Sequence, residues 1–142
     1  MKTIRHTLLS LVALLGLTAC THNDGDIGPW FGTWHVEQVT ASTNDYDGTS
    51  DNNLFLQFQS TVISMRATLD NHVVLSSFGH WEVDGDKLTV TFPDASQRIQ
   101  MAAWMDCDAT NRFTVRTITG SNMVLETSVD GVTYVITLKK WG

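Results

Sequence analysis

Apolar and polar side chains alternate with a period of two along most of this sequence, and that rhythm limits the fold more than any other feature. Leu88, Val90 and Phe92 alternate with Thr89 and Thr91. Leu54, Leu56 and Phe58 alternate with Phe55, Gln57 and Gln59, and Ile63, Met65, Ala67 and Leu69 with Ser64, Arg66 and Thr68. Near the end, Val132, Tyr134, Ile136 and Leu138 alternate with Thr133, Val135, Thr137 and Lys139. Such a period belongs to strands with one buried and one wet face. Asp70-Asn71, Asp84-Gly85-Asp86 and Asp130-Gly131 separate the runs with residues that tolerate positive φ in tight hairpins. Eight strands are predicted, at about 32–41, 53–60, 62–69, 72–83, 87–92, 112–119, 122–129 and 132–140. Eight antiparallel neighbours with short connections favour an all-β, up-and-down barrel, because closure leaves no exposed edge. A β-sandwich is the alternative.

Two stretches break the rhythm. Asn44 to Asn53 is a long polar loop. Between 95 and 105, Ile99, Ala102 and Ala103 stand at helical spacing, and Asp94 with Gln97 resembles a capping box. A short helix is predicted there, with a strand as the alternative.

Residues 1–20 do not belong to the domain. Lys2 and Arg5 precede a short apolar run from Leu8 to Leu17, too short for a span of ~20 apolar residues. The run ends in Leu17-Thr18-Ala19-Cys20, which resembles a bacterial lipobox. That resemblance implies a signal peptide over 1–19 and a diacylglyceryl group on Cys20, with acyl chains anchoring the mature protein in a membrane. Residues 20–29 read as the lipidated Cys and an acidic, Gly- and Pro-punctuated tether, followed by the barrel domain at 30–142. Thr21 stands where an aspartate would resemble an inner-membrane retention signal, so the expected address is the cell envelope, at the outer membrane.

Removing residues 1–19 leaves 123 of the 142 residues. Without Lys2 and Arg5, seven basic side chains face 15 acidic ones, and the formal charge moves from −6 to −8. This balance argues against nucleic acid, whose binding needs clustered Lys and Arg. With Cys20 acylated, Cys107 has no cysteine to pair with inside the chain.

Gly32-Thr33-Trp34 opens the first predicted strand, echoed by Gly79-His80-Trp81, and Gly131 to Trp141 closes the chain as a last strand. Together with the lipobox and the short tether, these runs resemble bacterial lipocalin-like lipoproteins. The resemblance implies an eight-stranded barrel in which Gly32, Trp34, Gly79 and Trp81 are fold residues and the indoles of Trp34 and Trp81 close barrel ends, with Trp141 nearby. Lys139 and Lys140 stand where the wider lipocalin family carries an arginine, and the family's Thr-Asp-x turn motif is missing.

The chain is expected not to be an enzyme. His35, His72 and His80 lack the His-Glu-x-x-His spacing, and there is no Gly-x-Ser-x-Gly elbow. His80 and Glu82 share a strand face and read as two exposed side chains. Cys107 lies between Asp106 and Asp108, which disfavour a thiolate. In the polar loop, Gly48 aligns with the obligatory glycine of an EF-hand, but Thr43 takes the first ligand position and Leu54 the last. A looser oxygen site from Asp45, Asp47 and Asp51 stays open, with solvated acids preferred; no metal and no cofactor are expected. Large predicted inward residues, among them Leu54, Leu56, Phe58, Met65, Phe92, Phe113, Tyr134 and Leu138, leave an eight-stranded barrel little free interior. A shallow pocket near the mouth is therefore expected, with Met101, Trp104, Met105 and Tyr134 as ligand-binding candidates for a small apolar or amphipathic molecule. The alternative is a protein-binding or inhibitor module whose acidic outer surface steers towards a basic protein partner.

Overall fold

The computed structural model describes residues 27–93, 101–106 and 109–142. Its strands are β1 (Gly32–Ala41), β2 (Leu54–Gln59), β3 (Val62–Thr68), β4 (Val74–Asp84), β5 (Lys87–Thr91), β6 (Thr110–Ile118), β7 (Asn122–Val129) and β8 (Val132–Trp141). Each pairs antiparallel with the next, and β8 pairs with β1 from Thr33↔Trp141 to Ala41↔Tyr134. The result is a closed up-and-down barrel; the sandwich alternative is set aside.

Alternation decides which side chains go in. Leu54, Leu56 and Phe58 on β2, Ile63, Met65 and Ala67 on β3, Leu88 and Val90 on β5, Met123 and Leu125 on β7, and Ile136 and Leu138 on β8 are all buried. The register sets them opposite one another, as in Leu56↔Met65 and Leu125↔Ile136. Leu69 departs from the expected pattern. Strand β3 stops at Thr68, and the chain turns with the His72 N–H donating to the Leu69 carbonyl, which leaves Leu69 43% exposed. At the β7–β8 hairpin, Asp130 (φ 51°) and Gly131 (φ 80°) both take positive φ, the conformation of a two-residue turn that matches strand twist.

Two bulges tune the closure. The register of β1 against β8 shifts between Val36 and Gln38, and that of β6 against β7 between Val115 and Thr117. Each inserts one residue and reverses the in-and-out phase beyond it. Trp34 and Val36 therefore point inward before the β1 bulge, while Val39 and Ala41 pack on the core after it.

The helix predicted over 95–105 is not formed in its described part; residues 94–100, with Asp94 and Gln97, lie outside the described residues. Ala102 and Met105 form an antiparallel bridge, with the Met105 N–H donating to the Ala102 carbonyl at 3.4 Å. This turn buries Met101, Ala102, Trp104 and Met105 and leaves Ala103 outside, the same side chains a helix would turn inward. Asn111 pins it: its Oδ1 accepts the Asp106 N–H at 2.7 Å and its Nδ2 donates to the Asp106 carbonyl at 2.8 Å. Cys20 and Cys107 also lie outside the described residues.

Up-and-down order gives the barrel two unlike ends. One gathers the start of β1, the β2–β3, β4–β5 and β6–β7 hairpins and the end of β8. The other gathers the β3–β4 and β7–β8 turns and the two long connections, 42–53 and 92–109. The first is called the closed end below, and the second the mouth.

Candidate ligand site at the barrel mouth

Aromatic side chains fill the closed end. Trp30, just ahead of β1, is 7% exposed and lies 5.2 Å from Phe58 and 5.3 Å from Trp81 between ring centroids. Phe58 meets Trp81 edge-on at 5.0 Å. The Trp34 indole is fully buried, and its Nε1–H donates to the Trp30 carbonyl at 3.1 Å. Gly79 is required here by close approach, since a Cβ would stand 2.3 Å from the Thr91 carbonyl oxygen and 2.8 Å from the Phe92 ring. Both Gly-x-Trp runs thus serve one end. Lys140 covers it, with Nζ 4.4 Å from the Trp34 ring centroid, donating to the carbonyls of Pro29 (2.9 Å) and Phe31. Trp141 takes no part in the plug. Being one strand position further on, it points outward, 58% exposed, against His35 and Phe55.

The barrel interior is filled from this end upward. Leu54, Phe58, Ile63, Met65, Val90, Leu125, Ile136 and Leu138 are fully buried, and a cavity of about 310 Å³ opens at the mouth, not in the centre. Its wall combines Thr49 and Asn53 from the 3₁₀ turn Thr49–Asn53, Ala67, Thr68, Leu69 and Asp70 from the end of β3, Leu75 from β4, and Met101. Of the four ligand-site candidates from sequence, Met101 lines this cavity. Trp104, Met105 and Tyr134 come to the same end but are buried (0%, 1% and 7% exposed). Trp104 stands edge-on to Phe113 at 6.2 Å, and Tyr134 edge-on to Tyr46 at 5.3 Å.

Asp51, read from the sequence as a solvated acid or a loose oxygen ligand, takes neither role. Within a loop expected to hold solvated acids, it is only 2% exposed. The loop turns at Gly48, where a Cβ would fall 2.9 Å from the Tyr46 ring, and this lets Tyr46 fold back so that its hydroxyl donates to Asp51 Oδ2. Burial raises the Asp51 carboxyl above its ordinary range, opposed by the Tyr46 hydroxyl and the Trp104 indole N–H. Burial, and then the neighbouring Asp51, also push the Tyr46 hydroxyl up. The signal in the sequence was Tyr46 and Asp51 flanking Gly48, an aromatic residue and an acid able to meet across one turn.

The loose oxygen site does not assemble. Asp45 and Asp47 are exposed, Asp47 accepts the Thr49 N–H at 3.1 Å, and Asp51 turns inward; no group of three metal-ligating side chains occurs among the described residues. His80 and Glu82 stand exposed on the outer wall.

A family model for a lipocalin-like domain matches residues 15–136. The chain belongs to the lipocalin-like family. A lipocalin-like protein of Bacteroides uniformis has a similar solved structure, with a TM-score of 0.62 and 17% identity over 80% of this chain and all (100%) of that one. An uncharacterised protein of Bacteroides eggerthii is similar at a TM-score of 0.58 and 17% identity, over 79% of this chain and 99% of the other. At such identity the likeness is one of fold. No curated protein matches the chain. Lipocalin-like barrels are generally binding proteins, not catalysts, and this fold suggests small-ligand binding. In this member Lys140 covers the first-strand tryptophan from the last strand, at the place where the sequence showed lysines instead of the wider family's arginine.

Proposed function

We propose that this lipocalin-like chain is an envelope lipoprotein, anchored through acylated Cys20 at the outer membrane, whose barrel mouth holds a small apolar or amphipathic molecule. The observation that carries the ligand reading is the mouth cavity, where Ala67, Leu75 and Met101 meet Thr49, Asn53 and Asp70. Apolar wall with a few polar groups is the lining that fixes an amphipathic guest. In this reading residues 1–19 are the signal peptide and 20–29 the lipidated Cys and tether. The tether would join at Ile27, beside the closed end, so the mouth would face away from the membrane that holds the anchor.

Three measurements test the proposal. Native mass spectrometry of the full-length protein, released from detergent, is expected to show a retained small-molecule adduct, and lipophilic probes are expected to bind saturably. No adduct and no saturable binding would end the ligand reading. Fatty-acid labelling is expected to mark the wild type and not Cys20→Ala; equal labelling would end the anchor reading. The protein-binding alternative gains little support from the outer wall. Its conspicuous exposed aromatics, Phe78 and Trp141, flank a shallow groove bearing Arg66, where a basic partner would meet a cation.

A further inference from the structure

Strand register sets two rows of side chains across the outer wall of β1 to β4. Thr33, Gln57, Ser64 and Phe78 stand in one row, through the pairs Thr33↔Gln57, Gln57↔Ser64 and Ser64↔Phe78, and Trp141 on β8 flanks Thr33. His35, Phe55, Arg66 and Ser76 form the next, through His35↔Phe55, Phe55↔Arg66 and Arg66↔Ser76. Alternation turns them outward, because their strand neighbours Trp34, Leu56, Met65 and Ser77 are buried. Members of both rows line an open groove of about 220 Å³.

Two aromatic rings bound the groove. Phe78 is 61% exposed. Phe55 belongs to a wider aromatic surface, with ring centroids 4.8 Å from His35 and 5.3 Å from Trp141. The Arg66 guanidinium lies 5.2 Å from the Phe55 ring centroid. Arg116 pairs with Glu126 at 3.0 Å, whereas Arg66 makes no ion pair among the described residues. The remaining lining is three hydroxyls and one amide, from Thr33, Ser64, Ser76 and Gln57, and no acidic side chain takes part. Glu37, beyond His35 on β1, is engaged by that ring at 3.0 Å. On a chain with 15 acidic and 9 basic side chains, a groove holding one cation and no acid is a place where an anion is met favourably.

We propose that this outer groove binds a hexuronate residue, a sugar ring bearing a carboxylate, with Arg66 as the partner of the anion. The guanidinium offers the fork of N–H donors that a carboxylate accepts. The C–H face of the ring lies against Phe78, whose π face is its electronegative side. Thr33, Ser64, Ser76 and Gln57 each donate and accept, as the hydroxyls of a sugar do. A neutral sugar leaves Arg66 unused, and a carboxylate without hydroxyls leaves the polar floor unused. An acidic peptide suits the wall less well, because an extended peptide gains affinity by pairing with a sheet edge, and this barrel is closed. The groove is also smaller than the roughly 300–1,000 Å³ of pockets for drug-sized ligands, which favours one ring over a longer guest. It shares no lining residue with the mouth cavity and does not depend on the ligand reading there.

The test titrates methyl β-D-glucuronide, methyl β-D-glucoside and cyclohexanecarboxylate against the full-length protein near neutral pH. Binding is read from the nitrogen-15 signal of the Gln57 side-chain amide, identified by its loss in Gln57→Met. The glucuronide is expected to bind about fivefold or more tightly than either other probe, the margin of a charge-assisted bond made at an exposed site. Added salt should narrow that margin over the glucoside. Arg66→Gln should bring the two glycosides to similar affinity, and Phe78→Ala should weaken both while keeping their ratio. Both side chains are exposed, so the variants are expected to melt near the wild type. Equal affinity of glucuronide and glucoside for the wild type would overturn the proposal, as would a preference that survives in Arg66→Gln. Cyclohexanecarboxylate binding as tightly as the glucuronide would overturn the sugar assignment. Saturable binding by none of the three, or binding that leaves the Gln57 signal in place, would overturn the site.

Discussion

The two ends of this barrel are closed by different physics. The closed end is shut by strand residues and the short lead-in to β1: Trp30, Trp34, Phe58 and Trp81 interlock, Gly79 makes room for Phe92, and Lys140 lies over the result. The mouth is partly covered by loops, whose contacts include a polar cluster of Tyr46 and Trp104 around the Asp51 carboxyl. Aromatic interlock is insensitive to pH and leaves no room. A buried polar cluster holds groups whose charge, and so whose contribution, depends on pH. Stability should therefore concentrate at the first end and pH dependence at the second.

Trp34→Ala attacks the closed end most directly. It removes a fully buried indole and should cost about 3–5 kcal/mol in urea unfolding. A loss under 1 kcal/mol would show that the plug is not the anchor of the fold. Gly79→Val should cost about 1–3 kcal/mol, because the added Cβ meets backbone at 2.3 Å and not the movable tip of a side chain. Lys140→Met loses the cation over Trp34 and two bonds to carbonyls, and a drop of about 1–2 kcal/mol is expected. Thermal melts of Lys140→Arg, which keeps the charge and the donors, should lie nearer the wild type.

At the mouth the expected effects are smaller and carry a pH signature. Burial raises the Asp51 carboxyl above its ordinary value of 3.8, so the folded chain holds that proton to higher pH than the unfolded chain does. Stability should then fall as pH rises from 3.8 through the raised folded value. Asp51→Asn removes this loss. Relative to wild type the variant should gain stability near neutral pH and none below the ordinary carboxylate range. A variant equally displaced at every pH would mean that Asp51 does not titrate in the fold. Leu69→Ser should change stability by less than about 0.5 kcal/mol, Leu69 being 43% exposed, while weakening probe binding at the cavity it lines.

The two ends also differ in how far they could be read from sequence. Strand β5 was legible because Leu88, Val90 and Phe92 sit at a strict period of two between turn residues, and local chemistry alone forces that choice. Gly32-Thr33-Trp34 announced a buried indole for the same reason. Trp30 was harder to read, since a residue beside a Pro in a tether carries no periodicity. Met101, Trp104 and Met105 were placed at the mouth but in a helix, because their spacing suits one and the pull of the barrel on four of the side chains lies outside any local window. Asp51 was least legible. Its carboxyl is buried by Tyr46, five residues earlier, and by Trp104, 53 residues later, and polar composition argued for solvent.

The amino-acid sequence by itself determined the alternation, the positions of the hairpins and the number of strands, because each depends on neighbours within one strand or turn. It also determined that large side chains would fill the interior. Only the tertiary structure decided that both Gly-x-Trp runs serve one end, that Lys140 covers the indole while Trp141 points outward, and that a loop aspartate enters the mouth. These outcomes follow from barrel closure, which brings residues far apart in the chain to the same two ends, and burial of a charge is settled by those distant partners.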